Sequence, residues 1–180
     1  MVIIVVGGGG RGAGKTALIC GLIRALPETQ WTAVKITSEE YGQRAPIWEE
    51  SLPGDDTDTA RYLAAGAQRA LLVTADDAAL SAAVEQVLKE CPAASGVIFE
   101  STRILRHLRP NLCLAAACTL KGERKATFEL VEKCMDASVS LGGHDHVIEG
   151  ERMHFHLASL ERVSAPMLAW LRERLEATAG

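Results

Sequence analysis

The stretch VVGGGGRGAGKTALICGL, residues 5–22, constrains this chain more than any other. It joins an apolar, largely β-branched run at residues 2–6 to a segment where Leu18, Ile19, Leu22, Ile23 and Leu26 recur at helical spacing. Pro27 stops that helix. A run that is apolar without alternation reads as a strand buried on both faces, as in a parallel sheet covered by helices. Between strand and helix, glycine fills positions 7 to 10, 12 and 14. Glycine loses more backbone freedom on ordering than any other residue, so a loop this rich in it serves something a Cβ would block.

Within the stretch, Gly9, Gly10, Arg11, Gly12, Ala13, Gly14, Lys15 and Thr16 match the phosphate-binding pattern G-x-x-x-x-G-K-[ST] in full. The pattern follows a strand and opens a helix, the context its chemistry needs. Glycines let successive N–H groups turn inward as an anion nest, and the helix N-terminus adds partial positive charge. Lys15 supplies a point charge for the β/γ-phosphates, and the Thr16 hydroxyl is a candidate Mg²⁺ ligand. Ala17 completes the set of expected nucleotide-contacting residues. The expected ligand is GTP or ATP with Mg²⁺.

Further along, residues 31–36 read as a second strand, 70–74, 97–99, 112–116 and 138–141 as further strands, and 153–157 as a less clear one. Helical patterning returns at 59–67, after Asp58 as a candidate N-cap, and at about 80–91 after Asp76 or Asp77. Two more helices are expected near 125–134 and 165–176. Residues 37–57 carry Gly42, Pro46, Pro53 and Gly54 and read as one long loop. Strands alternating with helices predict one α/β domain over residues 1–180, a three-layer P-loop NTPase-like fold with a mostly parallel central sheet. Ligands of such sheets collect at the carboxyl ends of the strands.

Three polar features fall at those ends: the glycine loop, Lys35 and Glu100. Glu100 ends a strand where a carboxylate can hold Mg²⁺ or its waters. Of the acids Asp55, Asp56 and Asp58, Asp58 is the expected second metal carboxylate; the alternative reading is that acids simply favour turns and helix starts. Lys35, between Val34 and Ile36, is either a surface lysine with a snorkelling stem or the partner of an anion, the γ-phosphate or an acidic client. Together with Lys15 and Glu100 it forms the expected catalytic set. Arg61, one turn after Asp58, reads as an intrahelical ion-pair partner or a phosphate contact.

Composition limits the alternatives. The net charge is −4 with no long basic block, which argues against nucleic acid as a partner. No segment has the length of a membrane-spanning helix. Five cysteines without C-x-x-C spacing fit free thiols in a reducing cytoplasm. His144, His146, His154 and His156 form two H-x-H pairs, a spacing that matches no known finger and supports no metal beyond Mg²⁺.

The loop from Gly9 to Thr16, the Ala33-Val34-Lys35 strand end, DTARYLAAGA from residue 58 and VIFES from residue 97 resemble MobB, the molybdopterin-guanine dinucleotide biosynthesis protein B, a SIMIBI-class P-loop family. Arg11, Lys35, Asp58, Arg61, Ala65-Gly66-Ala67 and Glu100 stand at the family's matching positions. The resemblance covers about the first hundred residues. It implies GTP binding, weak hydrolysis and assistance to a partner enzyme that joins GMP to molybdopterin. Two departures concern the client: Ile36, Thr37 and Ser38 replace the family's histidines, and Glu100-Ser101-Thr102-Arg103 replaces its Glu-Gly-Phe-Lys. No Asn-Lys-x-Asp guanine reader follows any strand, so the base rests on the resemblance. Arg11 would supply charge across a homodimer interface. A dethiobiotin-synthetase-like ligase, with Lys35 in carbamate chemistry, and a nucleotide-controlled adaptor for a protein partner are the alternatives.

Overall fold

The computed structural model describes residues 1–10, 12–38, 46–116, 128–142, 146–149 and 152–179. Arg11, His144 and residues 39–45 therefore lie outside the described residues. The elements follow one another as β1 (Val2–Gly8), α1 (Lys15–Ala25), β2 (Trp31–Thr37), β3 (Ile47–Glu49), α2 (Asp58–Ala64), β4 (Arg69–Thr74), α3 (Leu80–Glu90) and β5 (Gly96–Glu100). After a single 3-10 turn at Arg103–Arg106 come β6 (Leu112–Ala116), α4 (Phe128–Cys134), β7 (Ala137–Leu141), β8 (His146–Glu149), β9 (Arg152–Leu157) and α5 (Ala165–Ala179).

Among the described residues the strands form one nine-stranded sheet in the order β3-β4-β2-β5-β1-β6-β7-β9-β8. Every ladder from β4 to β9 is parallel, and only the edge strands β3 and β8 pair antiparallel with their neighbours. The fold is the mostly parallel α/β arrangement that the strand–helix alternation predicts.

Burial on both faces explains the apolar runs. Ile4 and Val6 enter the core formed with α1, α2 and α5, while Val5 enters the opposite core under α3. Strand β2 divides likewise, Ala33 to the first core and Val34 and Ile36 to the second. Helix α4 covers Cys113 and Ala115 of β6 through Val131. Among the described residues, no helix is long and apolar enough to cross a membrane.

Two expectations need correction. Residues 37–57 are not one loop, because Ile47–Glu49 forms the edge strand β3 against Leu71–Val73 of β4. Three residues without alternation leave no pattern that distinguishes a strand from a turn. At α2, Thr57 rather than Asp58 is the N-cap: its hydroxyl accepts from the Ala60 amide at 3.0 Å. Both residue types cap well, and Asp58 is drawn away by a cation described below.

Candidate functional site

The glycine loop leaves β1 at Gly8 and enters α1 at Lys15. Gly12 and Gly14 have φ of +75° and +85°, the left-handed region that a side chain disfavours. Among the described residues no side chain caps α1, and its first turn holds no acidic residue. Its leading amides and the positive end of its dipole are thus left for an anion. Ala13 is buried beneath the loop, and the Lys15 ammonium donates to the Gly10 carbonyl at 2.7 Å, folded back along the loop. The Gly8 amide donates to the Thr102 hydroxyl at 3.4 Å, which ties the start of the loop to the segment after β5.

Parallel pairing brings the other expected residues alongside. In the ladders, Glu100 of β5 lies opposite Lys35 of β2 on one side and Val6 of β1 on the other. Glu100 is 3 % exposed. Its Oε2 accepts from the Thr16 hydroxyl at 2.7 Å and from the Tyr62 hydroxyl, and its Oε1 accepts from the Lys35 ammonium. Lys35 also pairs with Asp58 Oδ2 at 2.8 Å. The buried carboxylate is thereby neutralised and hydrogen-bonded, the condition under which a charge can be held inside a protein.

The titration behaviour follows from these contacts. Burial pulls the Lys35 pKa down, but the Glu100 charge and hydrogen bonds to Asp58 and Glu100 outweigh it, leaving Lys35 raised and charged. Burial pushes the Asp58 carboxyl up, yet the hydrogen bond and the charge of Lys35 hold it below the usual carboxylate range. Tyr62 is pushed well above the ordinary phenol value, first by burial and then by the Glu100 charge, so its hydroxyl stays a donor.

One ammonium against two carboxylates leaves the cluster with a net negative charge beside Thr16. Thr16 gives its proton to Glu100, so its oxygen lone pairs remain for a cation. This all-oxygen donor set suits Mg²⁺, which takes one or two carboxylates and completes its shell with water and phosphate oxygens. Among the described residues no group of three or more His, Cys, Asp and Glu is placed to hold a metal. That limits a metal here to a shared site of this kind. Of the three neighbouring acids, Asp55 and Asp56 are exposed and only Asp58 turns in.

One expected contact lies elsewhere. Arg61 donates to Glu161 Oε1 at 2.9 Å, and Arg24 of α1 takes Glu161 Oε2 at 2.9 Å, so this arginine holds α2 to the segment ahead of α5. Among the histidines, the Nδ1 atoms of His154 and His156 hydrogen-bond the Ser138 and Ser140 hydroxyls at 2.5 and 2.8 Å. The register sets His146 across from Phe155. Tyr62 is the site residue that motif reading missed. Its position four residues after Asp58 was the available signal, since i and i+4 share a helix face.

No protein-family model matches the chain, and no curated protein matches it. Among solved structures, the chain is similar to LpxK from Aquifex aeolicus in complex with ATP, with a TM-score of 0.54 and 15% sequence identity. The match covers 84% of this chain and 52% of that one, so the chain spans about half the length of LpxK. At this identity the likeness speaks for the fold. Strand order, glycine loop and neighbour together give a P-loop NTPase-like α/β fold.

Proposed function

We propose that this chain binds a nucleoside triphosphate with Mg²⁺ and hydrolyses it slowly. One observation carries the reading: the G-x-x-x-x-G-K-[ST] loop opens α1 directly beside a buried carboxylate that accepts from Thr16 and shares Lys35 with the half-buried Asp58. The amides of Gly9, Gly10, Gly12, Ala13, Gly14 and Ala17, with Lys15, would cradle the phosphates. Thr16 and Asp58, backed by Glu100, would hold the metal or its waters. Held there, the cation would supply positive charge against the phosphates. Lys35 sits within the same cluster as a cation for the γ-phosphate. Neither Glu100 nor Asp58 stands unengaged as a general base, which fits slow turnover by positioning and charge.

The resemblance to MobB points to GTP and to an accessory role in joining GMP to molybdopterin. Asp58, Arg61 and the positive-φ Gly66 that closes the helix segment support it as structural parts of one motif. Cys20, Cys91 and Cys113 are buried free thiols, in keeping with a reducing cytoplasm.

Thermal melting with GTP, ATP and their diphosphates, with and without Mg²⁺, tests the reading. A triphosphate with Mg²⁺ at a hundred times its Kd should stabilise the protein by about 2.7 kcal/mol, and Lys15→Ala should lose most of that gain. No shift with any nucleotide would overturn the reading.

A further inference from the structure

We propose that Tyr62 is a positioning residue: its buried hydroxyl, by donating to Glu100, keeps that carboxylate out of direct reach of the metal and leaves Asp58 as the carboxylate that Mg²⁺ meets. The proposal rests on the nucleotide-and-Mg²⁺ reading above and goes on to assign the two acids different parts.

The hydrogen bonds set the first constraint. A carboxylate offers about four acceptor sites, and three on Glu100 are taken, by Thr16 and Tyr62 at Oε2 and Lys35 at Oε1. One site remains, on Oε1 beside the Lys35 ammonium, and a metal there would set two cations on one oxygen unless Glu100 turned and released a donor. For Tyr62 the release is the costly one, because its side chain is fully buried and no water can take the place of the lost acceptor.

Burial sets the second constraint. The Glu100 side chain is 2% exposed, whereas that of Asp58 is 38% exposed while still reaching Lys35. A hydrated cation arriving with a nucleotide from the solvent side therefore encounters Asp58 and Thr16 first. Helix geometry then links the two effects. Asp58 and Tyr62 lie one turn apart on α2, so one short helix delivers the accessible carboxylate and the hydroxyl that withdraws the other. A tyrosine that merely satisfied the core would need no relation to the metal, and this difference can be measured.

The readout is the ratio of nucleotide Kd in EDTA to Kd in Mg²⁺, taken with ATP and GTP for wild type, Tyr62→Phe, Asp58→Asn and the double variant. A general loss of stability moves both Kd values together and leaves the ratio unchanged. Asp58→Asn should reduce the ratio roughly tenfold in the wild-type background. In the Tyr62→Phe background the same substitution should reduce it several-fold less, because the released Glu100 can substitute as a ligand. Equal reductions in both backgrounds would overturn the assignment while leaving the nucleotide reading intact. If Tyr62→Phe does not fold, Glu100→Gln in the wild-type background decides. A smaller reduction than that from Asp58→Asn supports the proposal, and an equal or larger one overturns it. A wild-type ratio of one, or no nucleotide binding, removes the parent reading and this proposal together.

Discussion

An ammonium set between two carboxylates, as Lys35 is between Asp58 and Glu100, stabilises the fold only while all three are charged. The Asp58 pKa is depressed in the folded protein, so its contribution is present above an unfolded value of about 3.9 and fades as pH falls through the folded value. The Lys35 pKa is raised, so its contribution is present below about 10.4 and is lost as pH climbs through the folded value. Lys35→Met should cost on the order of 2–3 kcal/mol at neutral pH, below the full price of breaking a buried pair because a quarter of the side chain meets solvent. The deficit should shrink as pH falls below the unfolded value of about 3.9 and on through the depressed folded value of Asp58. Urea midpoints at pH 3 and pH 7 check this, and an equal deficit at both would refute it. From the sequence, Lys35 could as well have been a surface lysine. What decides is the neighbouring strand, which sets Glu100 directly opposite it.

Helix α2 shows the same dependence one level up. Thr57 and Asp58 are both good N-caps, and nothing in their spacing chooses between them. The tertiary partner chooses: Asp58 goes to Lys35, and Thr57 closes the helix while also meeting Glu50 with its hydroxyl at 3.1 Å. Thr57→Ala should therefore lower stability by about 1 kcal/mol. It should also diminish the thermal shift given by Mg²⁺ and nucleotide, since Asp58 and Tyr62 ride on this helix. An unchanged nucleotide shift would separate the helix from the site. The edge strand β3 escaped notice for a related reason. Its three residues carry too little pattern to read, and their pairing with β4 supplies the order.

At the scale of the molecule, the strand order places β1, β2 and β5 side by side, so their carboxyl ends gather the loop, Lys35 and Glu100. The far end of the chain reaches this group through Glu161, which bridges Arg24 of α1 and Arg61 of α2. Gly21 permits the approach, because a Cβ there would overlap the Leu160 carbonyl oxygen. Gly21→Ala should cost about 1–3 kcal/mol, a fall of a few degrees or more in melting temperature, with the nucleotide-dependent shift retained. A variant as stable as wild type would show that the segment ahead of α5 can yield. The sequence by itself determined the strand–loop–helix unit at the N-terminus and the parallel α/β class, because loop chemistry and two-sided burial are written in neighbouring residues. Only the tertiary structure decided that Glu100 would take Thr16 from 84 positions away, Lys35 from 65 and Tyr62 from 38. It likewise turned Arg61 to Glu161. Such pairings arise from strand order and register, which bring together side chains that no local spacing connects.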